Sequence, residues 1–249
     1  MKAMMLAAGI GNRLARGPEA APKVLLRFGE QSLLERHIEI LRHFGVSELI
    51  MGVGYRSDEI RHEIHALGAE DFVRLIENPD YTDGAIRTLW CLAPEFTGDD
   101  DAILMDADVL YDHRMMAKLI RSEHANCFLM DRKIDPGEDP VKLCVKDGYL
   151  VDFHKQPQAA HDWRGEWIGF MRFSPEMARR LPEAVHPYIA AAQYDVIYEQ
   201  TIRDLLVASP PGTFHFEDIT GLPWVEIDFP EDLDRAEHET FEALEDLPE

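Results

Sequence analysis

Two kinds of hydrophobic pattern alternate along the chain. Met4 to Ala7 is a short apolar run ahead of a glycine-containing loop, the form of a strand buried on both faces. "SLLERHIEILRHFG" then brings Leu34, Ile38, Leu41 and Phe44 near one helical face and stops at Gly45, a C-terminal breaker. "SELIMGVG" predicts a second buried strand, "SDEIRHEIHALG" a helix with acids in its first turn, and "FVRLIEN" a third strand. "DAILMDADVL" reads as a fourth strand running into a loop of carboxylates. Beyond about residue 130 the style changes, and "KLCVKDGYLVDF" forms two alternating runs around Asp147-Gly148, a hairpin signal. "EWIGFMRF" predicts a strand, "SPEMARRLPEAV" and "QYDVIYEQTIRDLL" predict helices, and "WVEIDFPEDLDRAEHETFEAL" predicts a last strand leading into a helix with Pro230 in its first turn.

Strands alternating with helices predict an α/β fold: a Rossmann-like three-layer sandwich whose mostly parallel central sheet is covered on both faces. The hairpin becomes a small antiparallel insertion at the sheet edge. There is no internal repeat or low-complexity linker, so residues 1–249 are expected to form one domain, with the antiparallel portion at about 132–175. The length suits one α/β domain with a real core. Charge narrows the partners. With 25 Lys+Arg against 47 Asp+Glu, a formal net charge of −22, nucleic acid and anionic membrane surfaces are excluded as expected partners, because both are held mainly by cationic side chains. Cys91, Cys127 and Cys144 are widely spaced without a C-x-x-C, so neither a disulfide framework nor a zinc site is expected, and a reducing cytoplasm is the default location. "MKAMMLAAGIG" superficially imitates a signal peptide, but it leads into Asn12, Arg13 and Arg16 with no clear cleavage pattern and reads better as the first strand. No apolar stretch approaches the ~20 residues needed to span a bilayer.

Against this acidic background "LAAGIGNRLARGPEAAPKVL" stands out, since Gly9, Gly11, Arg13, Arg16 and Lys23 crowd together behind the first strand. Ligands of open α/β sheets bind beyond the carboxyl ends of the strands. Glycines there let backbone N–H groups approach an anion closely, and Arg13 and Lys23 add charge that backbone dipoles do not supply. The dinucleotide fingerprint G-x-G-x-x-G fails at Leu14, and G-x-x-x-x-G-K-[ST] is absent. "LMDADVL" places Asp106 and Asp108 two residues apart at a strand end, on one side if the extended period persists. A triphosphate brings its own need for Mg²⁺, which takes one or two carboxylates and keeps waters and phosphate oxygens. Aspartates are equally at home in turns, and Asp228, just ahead of Pro230, is equally suited to complementing a helix N-terminus.

Leu6-Ala7-Ala8-Gly9, Gly11-Asn12-Arg13 and Pro22-Lys23 closely resemble the signature of the nucleotidyltransferase superfamily, in which a strand ending L-A-A-G is followed by G-x-R and then Pro-Lys. "WVEIDFPEDLDRAE" resembles that family's closing segment. The resemblance implies a GT-A-like nucleotidyltransferase fold and an Mg²⁺-dependent transfer of a nucleotide with release of pyrophosphate. It assigns Leu6, Ala7, Ala8, Gly9, Gly11, Asn12, Arg13, Lys23 and Asp106 to the nucleotide, with Arg13 and Lys23 offsetting charge on the pyrophosphate. It assigns Asp108, Asp228 and Glu226 to the metal region. "YLVDFHKQP" and "GEWIGFMRFS" resemble the acceptor side, which nominates Lys155, Glu166 and Gly169, with Lys155 holding the acceptor's anion and His154 a bystander. The resemblance is closest to cytidylyltransferases of small molecules such as phosphocholine, inositol phosphate and 2-aminoethylphosphonate. CTP and a small phosphate or phosphonate acceptor are therefore the expected partners, and a homodimer is left open. One segment departs from the pattern. In "ENPDYTDGAIRTLWCL" a family asparagine pair is replaced around Asp83, Gly84 and Ala85, and Arg87 is added to the acceptor side. Arg87 suits an acceptor with an extra acid group, whereas Trp90, Trp167, Tyr194 or Tyr198 suit an ammonium, and both remain open. A hexose-1-phosphate nucleotidyltransferase and a non-catalytic nucleotide sensor are the alternatives.

Overall fold

A computed structural model describes residues 1–14, 20–134 and 140–248; Arg16 of the opening loop and residues 135–139 of the expected antiparallel portion lie outside them. Strand β1 (Lys2–Ala7) runs through the centre of the sheet. Its side chains face opposite ways in turn, so Ala3, Met5 and Ala7 join one apolar cluster and Met4 the other. A small ribbon of β2 (Arg27–Phe28) and β3 (Gln31–Ser32) follows, and the Ser32 hydroxyl accepts from the Glu35 N–H to cap α1 (Leu33–His43). The chain continues as β4 (Glu48–Val53), α2 (Ser57–Ala66), β5 (Val73–Glu77), α3 (Ala85–Leu92) and β6 (Ala102–Asp106). These strands pair in parallel in the order β6-β1-β4-β5. β4 and β5 build outward from one side of β1, and β6 returns to the other. The strand order therefore reverses between β1 and β6, which opens a crevice at their carboxyl ends.

Beyond β6 the short β7 (Val109–Tyr111) leads to α4 (His113–Arg121), and β8 (Cys127–Asp131) is followed by β9 (Lys142–Lys146), β10 (Tyr149–His154) and β11 (Trp163–Phe173). β9 and β10 form the expected hairpin, with Asp147 and Gly148 both at positive φ in a two-residue turn. One edge of β11 pairs first with β9 and then with β6, and its other edge pairs with β8. All three pairings are antiparallel, so the insertion is continuous with the parallel core. Helices α5 (Pro175–Ala190) and α6 (Glu199–Val207), strands β12 (His215–Asp218) and β13 (Trp224–Glu226), and helix α7 (Pro230–Arg235) complete the chain. A π turn, Ala236–Thr240, carries α7 into the short α8 (Phe241–Ala243). Three layers result. Leu41 of α1, Ile60 of α2 and Met115 of α4 pack on one face of the sheet; Leu89 of α3, Leu181 of α5 and Ile202 of α6 pack on the other. A third cluster, including Leu14, Leu110, Val225 and Ile227, seats the opening loop on β7 and β13. No described helix is long and apolar enough to cross a membrane.

Two expectations change. The helix read over 193–206 begins only at Glu199, because Tyr198 is buried with its hydroxyl on Asp106 and the residues before it form cleft wall. The fourth strand's extension past Asp106 leaves the main sheet, and β7 pairs with β13 instead.

Candidate functional site

The carboxyl ends of β1 and β6 open into a cleft of 1140 Å³. This exceeds the roughly 300–1,000 Å³ usual for one small ligand and leaves room for two reactants. The opening loop forms one wall. Leu6, Ala7, Ala8, Gly9, Gly11, Asn12 and Arg13 all line the cleft. Gly11 has φ +70°, and a Cβ there would stand 3.2 Å from Lys23 Cγ, so glycine both makes the turn and lets the lysine cross it. At the far end of the loop the Ala20 carbonyl accepts from Tyr55 Oη at 3.0 Å and from Arg56 Nη1 at 3.2 Å, which ties the loop to the segment after β4.

Lys23 points across the cleft mouth. Its Nζ donates to Asp108 Oδ2 at 2.7 Å and to Asp228 Oδ1 at 2.6 Å, while Arg13 Nη2 lies 2.8 Å from Asp228 Oδ2. Asp108, Glu226 and Asp228 each offer a carboxylate oxygen within 4.8 Å of the others. The β7–β13 pairing produces this convergence. Asp108 precedes β7, Glu226 ends β13, and the Ile227 N–H donates to the Asp108 carbonyl at 2.9 Å. Asp232 then fixes Asp228 from behind: its Oδ2 accepts from the Asp228 and Phe229 N–H groups at 3.0 and 2.8 Å. The helix end is thus served by Asp232, which leaves the Asp228 carboxylate to face the cleft. An acid three residues into a helix that opens with proline is a recognisable start signal, and "FPED" carries it.

Charge is arranged unevenly across these groups. Burial alone would lower the Lys23 pKa, but the charges of Asp108 and Asp228 reverse that and hold its ammonium well above the ordinary lysine range. Glu226 goes the other way. Burial first, then the charges of Asp108 and Asp228, push its carboxyl well above the usual carboxylate range. A cluster of carboxylate oxygens without sulfur or imidazole suits a hard divalent cation that prefers oxygen.

Asp106 lines the same cleft but stands outside this triad. Both its oxygens lie 2.8 Å from Tyr198 Oη, which donates to them, and burial followed by the charge of Asp108 raises its pKa well above the usual range. The extended period expected to put Asp106 and Asp108 on one side breaks where β6 ends. Gly169, at φ +86° in β11, is the reason Asp106 fits; a Cβ there would meet Asp106 Oδ2 at 2.7 Å.

Lys155 and Glu166 also line the cleft. Glu199, at the start of α6, faces Lys155: burial raises the Glu199 pKa, and the lysine's charge opposes that rise. Tyr194, Tyr198 and Trp167 contribute aromatic wall, whereas Trp90 is not among the residues lining the cleft and packs against His186 instead. Arg87, expected on the acceptor side, is not among the residues lining the cleft; its guanidinium pairs with Asp80, approaches Asp83 at 3.8 Å and lies 4.5 Å from the centre of the Tyr194 ring, and Asp83 and Tyr194 do line it. Glu199 was hidden from sequence reading by the helical pattern of "QYDVIYEQTIRDLL", and Tyr198, named there only as an aromatic for an ammonium, is found instead to donate to Asp106.

Residues 3–165 match the family model described as "MobA-like NTP transferase domain". The chain is 24% identical to the CTP:phosphoglutamine cytidylyltransferase of Campylobacter jejuni over 83% of its length and 81% of that protein's. It is 27% identical to the CMP-5'-(3-aminopropyl)phosphonate synthase of Streptomyces rubellomurinus, over 95% of this chain but only 38% of that protein. The solved structure of CTP:phosphocholine cytidylyltransferase from Streptococcus pneumoniae superposes with a TM-score of 0.75 at 22% identity, covering 95% of this chain and 97% of that one, which shows a shared fold.

Proposed function

Because the chain belongs to the MobA-like NTP transferase domain family, we propose that it is a cytidylyltransferase that moves CMP from CTP to a small acceptor bearing a phosphate or phosphonate, with release of pyrophosphate. The observation that carries the reading is the meeting of Asp108 and Asp228, far apart in the sequence, on Lys23 opposite the glycine loop. The choice of CTP and of a phosphate or phosphonate acceptor rests on the names of the relatives and on Lys155.

In this reading Leu6, Ala7 and Ala8 receive the nucleoside, while the turn at Gly9, Gly11 and Asn12 presents the backbone to the phosphates. Asp108 and Asp228, with Glu226 beside them, would hold Mg²⁺, and the three-oxygen set fits it. Such an ion would supply positive charge against the phosphates. Arg13 and Lys23 then exchange their carboxylate partners for the β- and γ-phosphates. Lys155, with Glu166 and Gly169 nearby, orients the acceptor. An acceptor oxygen forms a bond to the α-phosphorus as the bond to the bridging oxygen breaks, and the electron pair leaves on pyrophosphate. No covalent enzyme intermediate is required, since positioning and charge stabilisation suffice for such transfers.

The test is pyrophosphate release with each of the four nucleoside triphosphates against phosphocholine, 3-aminopropylphosphonate, inositol phosphate and hexose 1-phosphates. CTP with one of the non-sugar acceptors should be consumed fastest. Asp108→Asn and Lys23→Ala should each lower kcat by about 100-fold or more while circular dichroism stays that of the wild type. Preference for a hexose phosphate would replace the reading with a sugar nucleotidyltransferase, and triphosphate binding without release would leave a sensor.

A further inference from the structure

Asp152 of β10 is fully buried and is not among the residues lining the cleft, yet three of its hydrogen-bond partners belong to the loop after Lys155 and to α6, two segments that reach the cleft through Lys155, Tyr198 and Glu199. Oδ2 accepts from the Gln158 and Ala159 N–H groups at 2.7 and 2.9 Å, which closes the loop just after Lys155. Oδ1 accepts from the Phe153 N–H at 2.9 Å and from Arg203 Nε at 2.6 Å. Arg203 belongs to α6, whose N-terminal end places Tyr198 and Glu199 in the cleft wall beside Lys155. The Lys155 carbonyl itself accepts from Lys142 Nζ at 2.7 Å. A loop over a cleft is ordinarily among the more mobile parts of a fold. Here a buried charge ties the loop to α6, which already packs its apolar face on β10. Burial would raise the Asp152 pKa, but its N–H donors and Arg203 bring it down to about 2, so the anchor stays ionised at any working pH.

We propose that Asp152 and Arg203 are a positioning pair that sets where Lys155 stands relative to the first turn of α6, and so sets the affinity for the acceptor without touching it. The inference rests on Lys155 as the acceptor's contact. Three variants separate the possibilities: Arg203→Met, the double variant Asp152→Asn/Arg203→Met, which leaves no buried charge unpaired, and Arg203→Lys. They are assayed with whichever of phosphocholine and 3-aminopropylphosphonate the wild type consumes faster, varying acceptor and CTP separately. Misplacing a group by about 1 Å costs up to 100-fold, so acceptor KM should rise about 10- to 100-fold in both methionine variants. CTP KM should stay within about twofold, and Arg203→Lys should recover part of the loss. Hydrogen exchange at Gln158 and Ala159 should quicken in parallel. A lowered melting temperature with acceptor KM unchanged would make the pair structural only, and an equal rise in both KM values would also overturn the proposal. Lys155→Ala, run alongside, keeps the two readings apart. If it raises acceptor KM and Arg203→Met does not, only the positioning pair is lost. If Lys155→Ala leaves acceptor KM unchanged, the assignment of Lys155 fails and the positioning pair fails with it.

Discussion

His37 shows how a side chain outside the cleft supports one inside it. It lies buried under the turn that presents Asp108, with Nε2 3.2 Å from the carbonyl of Ala107, and its Nδ1 has no hydrogen-bond partner among the described residues. That bond requires the ring proton on Nε2, because a carbonyl only accepts. Burial pushes its pKa down to about 4, so the ring is neutral at working pH. An unfolded histidine titrates near 6.5. Between about pH 6.5 and 4 the unfolded chain therefore binds one proton more than the folded one, and the His37 contribution to stability is lost as pH falls through that window. The full loss is about 3 kcal/mol by pH 4. Urea unfolding at pH 7 and at pH 4.5 should show that drop in the wild type, and His37→Leu should remove most of it. An equal acid loss in the variant would mean that other groups cause it. None of this was legible in "ERHIEIL", where His37 is one more residue of an amphipathic helix. The place of Gly11 and Lys23 on the cleft wall was legible, because glycine at a positive φ there meets a local demand that few other residues satisfy.

At the scale of elements, β11 supplies Glu166, Trp167 and Gly169 to the cleft wall. Its pairing with β8 steps from Trp167↔Met130 to Met171↔Phe128, so extra residues on β11 form an irregularity that contains Gly169. The sequence "EWIGFMRF" predicts a strand and a glycine of interest, but the bulge depends on β8, which was not anticipated. "CFLMD" is buried along its whole length and so lacks the alternation that marks a half-exposed strand. Gly169→Ala meets two obstacles at once, a left-handed φ of +86° and a Cβ 2.7 Å from Asp106 Oδ2. The variant should lose about 1–3 kcal/mol in denaturant unfolding and a larger share of its turnover, because Asp106 must move off Tyr198. Wild-type stability and turnover in Gly169→Ala would show that the strand shifts freely there. α6 teaches the same lesson from the other side. Its helical pattern extends back to Gln193 in the sequence, yet the N-terminal part is diverted into the cleft wall by the buried hydroxyl of Tyr198.

For the molecule as a whole, a net charge of −22 faces a polyanionic nucleotide. Lys23 and Arg13 act at contact range within the cleft, whereas the remaining surface repels over the screening length. Raising ionic strength from about 0.01 to 0.1 M shortens that length from about 30 to 10 Å. Long-range repulsion is then suppressed more than contact attraction, so kcat/KM for the nucleotide should rise over this range. A steady fall instead would show that the local cations already govern the encounter.

The alternation of most strands and helices, the glycine loop and the identity of the charged residues were determined by the sequence alone, because periodicity, turn chemistry and short motifs are local properties; α3, α4, β8 and β12 were not read from it. The resemblance named Asp108, Glu226 and Asp228 together, but only the tertiary structure supplies the contact that brings them together and separates Asp106 from them. The pairing of β7 with β13 joins segments remote in the chain, gathers Asp108, Glu226 and Asp228, and leaves Asp106 to Tyr198. The neighbours of Arg87 were likewise set by the fold, Tyr194 among them from a distant loop. Such choices are made by long-range contacts, which a one-dimensional pattern does not encode.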